Sequence, residues 1–114
     1  MTVDVTIVVG WDEEYFYYDN GDEEDTLNHT TEEATEFLDL NADLVRDLEA
    51  WDAEYQAIFD RVRGREIGFA TPEIEHAWFE RGKELSARLK RESPMVARVN
   101  YLADGSIPKG TCVF

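Results

Sequence analysis

Three side chains offer nucleophilic or zinc chemistry in this sequence: Cys112, His29 and His76. A catalytic thiol needs a histidine in reach and a rigid mount. Cys112 is the third residue from the chain end, with no motif around it. Zinc asks for three or four histidine and thiolate ligands at short, regular spacings, and no such pair occurs. The Gly64 and Gly68 spacing is not a phosphate-cradling loop. Carboxylates are abundant, with 26 Asp and Glu in 114 residues, so an acid/base pair is chemically available. No two of them stand apart from the rest by their spacing. An enzyme is therefore not expected, and no cofactor or metal is implied.

Charge carries the stronger message. The net charge is −15, and residues 1–60 hold nineteen acids against the single base Arg46, whereas residues 61–114 hold seven acids and ten bases. Such a field repels nucleic acid and anionic membrane and attracts basic proteins. Acidity serving only solubility, or the first half lying against the second, are the plainer readings. The second could cancel little, because the basic half has only three charges to spare. The run Asp22, Glu23, Glu24, Asp25 lacks the ordered ligand alternation and distant glutamate of a calcium loop. It is read either as a solvated loop or as a loop that meets a cationic partner.

These acids must be held by a folded scaffold, and 43% hydrophobic content makes general disorder unlikely. One domain, residues 1–114, is the natural count for this length. A single cysteine, the lack of a basic and apolar leader after Met1 and the lack of a long apolar run point to the cytoplasm. The organising stretch is residues 41–62. Leu44, Leu48, Trp51, Tyr55, Ile58 and Val62 recur at steps of four and three, one stripe of an α-helix. Glu49, Gln56 and Asp60 fall on its watered side, and Asp43, Asp47 and Glu54 form an acidic flank beside the stripe. Asn41 is a good N-cap, and Arg61, Arg63 and Gly64 suit the other end.

Ahead of this helix, residues 2–9 alternate as a half-buried strand, with Val3, Val5, Ile7 and Val9 on one side. Residues 15–18 read as a second strand carrying rings on both faces. Phe16 and Tyr18 point one way, Tyr15 and Tyr17 the other, and one pair is either capped within the fold or exposed for recognition. Asn20-Gly21 is a turn, and Thr30 with Glu33 has capping-box spacing that opens a short helix over 31–37. His29 is taken as a loop histidine. Asn28-His29-Thr30 also fits a glycosylation acceptor, which means little without an export signal.

Thr71-Pro72 starts a second long helix, whose buried stripe is Ile74, Trp78, Leu85 and Leu89, with His76 beside it as a partly covered structural residue. Gly82 within that stripe predicts close approach of the first long helix. Pro94 ends the helix, residues 95–102 return as a strand, and residues 111–114 add an edge. The expected fold class is α+β: a small, mostly antiparallel sheet of three to four strands, covered on one face by an antiparallel helix pair.

Leu48-x-x-Trp51-Asp52-x-x-Tyr55-Gln56, followed by Trp78-x-x-x-Gly82-x-x-Leu85-x-x-Arg88-Leu89, resembles small acidic bacterial proteins. In size, charge and α/β make-up the chain also resembles the immunity proteins of contact-dependent growth inhibition and related toxin systems. The resemblance implies a cytoplasmic, non-catalytic protein that binds a toxin domain, often a nuclease, across or near its active site. It transfers no binding residue. From charge and exposure alone, the partner-binding surface is expected at Glu13, Tyr15, Tyr17, Asp19, Asp22, Glu23, Glu24 and Asp25, with Asp43, Asp47 and Glu54. The partner is expected to be a basic toxin domain; the alternative is a non-catalytic interaction or regulatory module of unknown partner.

Overall fold

The computed structural model describes residues 2–21, 27–60, 65–66 and 68–114. The elements follow in the order β1 (Val3–Val8), β2 (Phe16–Tyr17), β3 (Asn28–His29), α1 (Thr31–Leu38), α2 (Ala42–Gln56), β4 (Phe59–Asp60), β5 (Arg65–Glu66), α3 (Pro72–Glu92) and β6 (Val96–Ala103). The architecture is α+β, with three helices and a four-stranded sheet in the order β3-β2-β1-β6. β1 pairs antiparallel with β2 and β2 with β3, but β1 and β6 run parallel. The sheet is thus mixed: two of its three pairings are antiparallel, and the β1–β6 pairing is the parallel one. The cause is the crossover: the chain returns to the sheet through α3, and a helical return brings the next strand back in the original direction. Residues 112–114 add an edge beside β6, where Val99 and Phe114 exchange both backbone hydrogen bonds.

Alternation in β1 works as its pattern requires. Val3, Val5, Ile7 and Val9 are buried against the helices, while Asp4, Thr6 and Val8 face the other side. Thr30 caps α1 through a full capping box, and Asn41 caps α2 by accepting from the Asp43 N–H at 2.8 Å. α2 is shorter than its stripe predicts. It ends at Gln56, the Ile58 N–H turns back to the Tyr55 carbonyl, and the chain enters the β4–β5 ribbon. A β-branched residue followed by an aromatic favours the extended course over another helical turn. Ile58 still reaches the core. Val62 and the Arg61, Arg63 and Gly64 stop signals lie outside the described residues, as does Ile67.

α2 and α3 pack antiparallel, with Asp47 bonded to Arg88 and Glu54 paired with Arg81 along one side of the seam. Inside it, the Trp51 and Trp78 rings stack at 4.7 Å between centroids. Each indole N–H donates to the other tryptophan's backbone carbonyl, at 3.0 and 2.9 Å. Two large rings are thereby buried with both polar tips satisfied. The stripe of α3 is Trp78, Gly82, Leu85, Ser86 and Leu89; Ile74, expected in it, is 49% exposed in the first turn, short of the α2 contact. His76 is likewise exposed.

Gly82 is the point of closest approach. A Cβ there would lie 2.7 Å from Trp51 Cζ2 and collide with the Tyr101 hydroxyl, which is itself donating to the Phe79 carbonyl. Gly82→Ala should therefore invert the usual helix preference. The roughly 1 kcal/mol gained from propensity is outweighed by overpacking of about 1–3 kcal/mol or more, because the obstacles are buried rings. A lower urea midpoint is the expected result.

Candidate functional site: an acidic groove beside the central helix

The columns of α2 explain how the site is built. Leu48, Trp51 and Tyr55 go inward; the residue following each one, Glu49, Asp52 and Gln56, forms the adjacent column at the margin of the core. Opposite this column runs the connection between β1 and β2. Gln56 fastens the two together. Its amide donates to the Gly10 carbonyl at 2.9 Å and to Asp52 Oδ1 at 3.1 Å, and its oxygen accepts from the Asp12 N–H at 2.8 Å. Asp12 adopts φ 57°, a left-handed conformation that turns the connection back toward β2. The N-terminus of α1 closes the third side.

The result is a groove of about 430 Å³ lined by Asp12, Glu13, Glu14, Glu32, Glu49 and Asp52, together with Thr30, Thr31, Tyr15 and Gln56. Six carboxylates line the groove, and no basic side chain among the described residues does. Burial pushes the Asp52 carboxyl up to about 6; the hydrogen bond from Gln56 opposes the shift, and Glu49 and Glu14 add to it. Glu14 is also raised, first by burial and then by Glu49, Glu33 and Glu32. These groups repel one another and have no counter-ion among the described lining residues, so a cation entering the groove relieves both effects. Among the described residues, no three His, Cys, Asp or Glu side chains converge closely enough to hold a metal ion.

Asp52 makes this testable on the free protein. Its folded pKa is raised from 3.8 to about 6, so the folded state keeps a proton that the unfolded chain releases. Stability therefore falls as pH rises from about 4 to about 6, and the full penalty is present above that window. Asp52→Asn keeps an oxygen for Gln56 and removes the charge. It should raise stability at pH 7 by roughly 1–2 kcal/mol once solvent screening is allowed for. Below pH 4 the difference should vanish, as read by thermal unfolding across the series.

The residues expected to bind a partner separate into four places. Glu13 lies in the groove. Tyr15 is a correction: it is 2% exposed, its hydroxyl accepts from Thr31 Oγ1 at 3.1 Å, and it meets Trp51 edge-on, so it backs the groove as a core ring. Burial holds its phenol well above the usual range. Of the four rings in residues 15–18 only Tyr17 is partly open, and it lies with Asp19 along the opposite face of the sheet. Asp43 is exposed near Arg46, whereas Asp47 and Glu54 are neutralised by Arg88 and Arg81 rather than forming a free acidic flank. Asp22, Glu23, Glu24 and Asp25 lie outside the described residues.

His29 is also corrected. It is buried in β3, stacked on Tyr18 at 3.9 Å with Nε2 bonded to the Tyr18 carbonyl. The sequence reading missed Asp12, Glu14, Glu32, Glu49, Asp52 and Gln56. One available signal was the Glu49, Asp52, Gln56 column one step behind the apolar stripe.

Residues 11–104 match the model of a family described as Serratia CdiI immunity protein-like. No curated protein matches the chain. The matched span includes every residue lining the groove.

Proposed function

The chain belongs to the Serratia CdiI immunity protein-like family, and on that premise we propose that it neutralises a cognate toxin domain by binding it through the acidic groove. The observation that carries this reading is a groove lined by six carboxylates, two with raised pKa values, and by no basic side chain among the described residues. A lysine or arginine side chain of a basic toxin would enter that groove. It would exchange hydration for contact with these carboxylates, of which Asp52 is already oriented by Gln56. Preformed charge of this kind speeds encounter and favours a basic partner over others.

Neutralisation by occlusion follows if the inserted basic residues belong to the toxin's own active cleft. Nucleases carry such residues for phosphate, so a nuclease fits this chemistry well. The protein then acts as a stoichiometric inhibitor, performs no reaction, and meets the toxin in the cytoplasm. Among the described residues no helix is long and apolar enough to cross a membrane. The test is protection in cells. If a large secreted protein is encoded beside this chain's gene, its C-terminal domain should arrest growth when expressed alone, and co-expression of this chain should restore growth. If the two proteins fail to co-purify and growth stays arrested, the proposal is wrong.

A further inference from the structure

We propose that the helix-free face of the sheet is a contact between two copies of this chain, an inference that goes beyond the immunity reading and does not depend on it. This face carries a cleft of about 640 Å³. Its charges are divided across the sheet. Asp4 on β1 and Asp19 after β2 stand on one side, while Arg98 on β6 and Lys109 beyond it stand on the other. Neither Arg98 nor Lys109 forms an ion pair with a described residue. In a chain of net charge −15, the charged lining of this cleft is balanced.

Register turns that division into self-complementarity. Asp4 and Arg98 are partners across β1 and β6, and Thr6 and Asn100 are partners one row on, with Tyr17 beside Thr6. Consider a two-fold axis lying in this face, parallel to the strands and between β1 and β6. It keeps each residue at its own level along the strands and exchanges left for right. Asp4 of one copy then meets Arg98 of its mate, twice over. Asn100 meets Thr6 in the same way.

Asn100 lines the same cleft and is 8% exposed as a residue, and across the axis its carboxamide exchanges water for the mate's Thr6 hydroxyl. Because the axis preserves strand direction, the two sheets stack in the aligned manner of β-sandwiches, about 10 Å apart. The acidic grooves, on the helix-bearing sides, point away from each other and stay open.

The experiment is sedimentation equilibrium of the full chain over a micromolar to submillimolar series. It is run at physiological ionic strength, where a Debye length of about 8 Å screens the repulsion between the two acidic chains. A monomer–dimer equilibrium is expected. Arg98→Asp and Asp4→Arg, both at exposed positions, should each weaken it by roughly a hundredfold, with circular dichroism unchanged. Combining the two substitutions in one chain should restore the dimer by exchanging the signs. A monomer at every concentration, or an Arg98→Asp chain that dimerises as well as the wild type, overturns the proposal.

Discussion

Replacing Glu14, Glu49 and Asp52 together by their amides is expected to weaken toxin binding by on the order of a hundredfold. These carboxylates line one groove, and Glu14 and Asp52 have raised pKa values. Removing them deletes the potential that steers a basic partner and the ions that would bond it. The loss should appear in both rate constants. The association rate should fall and lose much of its salt dependence, because steering is screened by salt. The dissociation rate should rise, because charge-assisted hydrogen bonds in the groove are gone. A matched control removes the same charge elsewhere: Glu36, Glu73 and Glu75 to glutamine, all exposed and outside the groove. That control should change affinity only a few-fold. The groove variant should also be no less stable than the wild type, since it sheds mutual repulsion. Weaker binding with undiminished stability would mark the carboxylates as serving recognition rather than the fold.

The largest stability effect should come from Trp51→Ala, with a loss of about 3–5 kcal/mol. Trp51 is fully buried, stacks on Trp78, meets Tyr15 edge-on, and lies 6.0 Å from Tyr101 between ring centroids. Its removal opens a cavity where α2, α3 and the sheet converge. The Trp78 carbonyl also loses the indole donor that reaches it from across the helix seam. Trp51→Phe separates the two effects: it keeps most of the volume but not the N–H, so it should cost less than the alanine variant. Chemical denaturation of the three proteins measures both. An alanine variant within about 1 kcal/mol of the wild type would contradict the view that this pair anchors the core.

The parts of the fold that were legible in sequence are those governed by local chemistry. Thr30 and Glu33 announced a capping box, Asn41 and Thr71 announced helix starts, and the alternation in β1 announced a half-buried strand. Gly82 announced a close approach because a glycine in a helical stripe has few other uses. What stayed hidden depended on contacts far apart in sequence. Periodicity ran on through Ile58 to Val62, but the helix stopped at Gln56, since Ile58 reaches the core from the turn after the helix as readily as from within it. The parallel pairing of β1 and β6 is a property of the crossover and leaves no mark on either strand.

The site was half legible for the same reason. Charge asymmetry located the acidic part of the chain, but exposure could not be assigned residue by residue. Tyr15 looked like a surface ring because residues 15–18 carry aromatics on both faces; the helices cover all but Tyr17. Asp47 and Glu54 looked free because Arg88 and Arg81, which neutralise them, lie far away in sequence. Gln56 looked like a solvent residue, yet two of its three hydrogen bonds fasten the β1–β2 connection that forms one wall of the groove, and the third holds Asp52.

Amide hydrogen exchange on the toxin-bound and free protein addresses the choice of surface most directly. Toxin binding at the groove should slow exchange at residues 10–14, 30–33 and 49–56, the three segments whose side chains meet there. Protection confined to the β6 face or to the outer side of α3, with those three segments exchanging as in the free protein, would contradict the account.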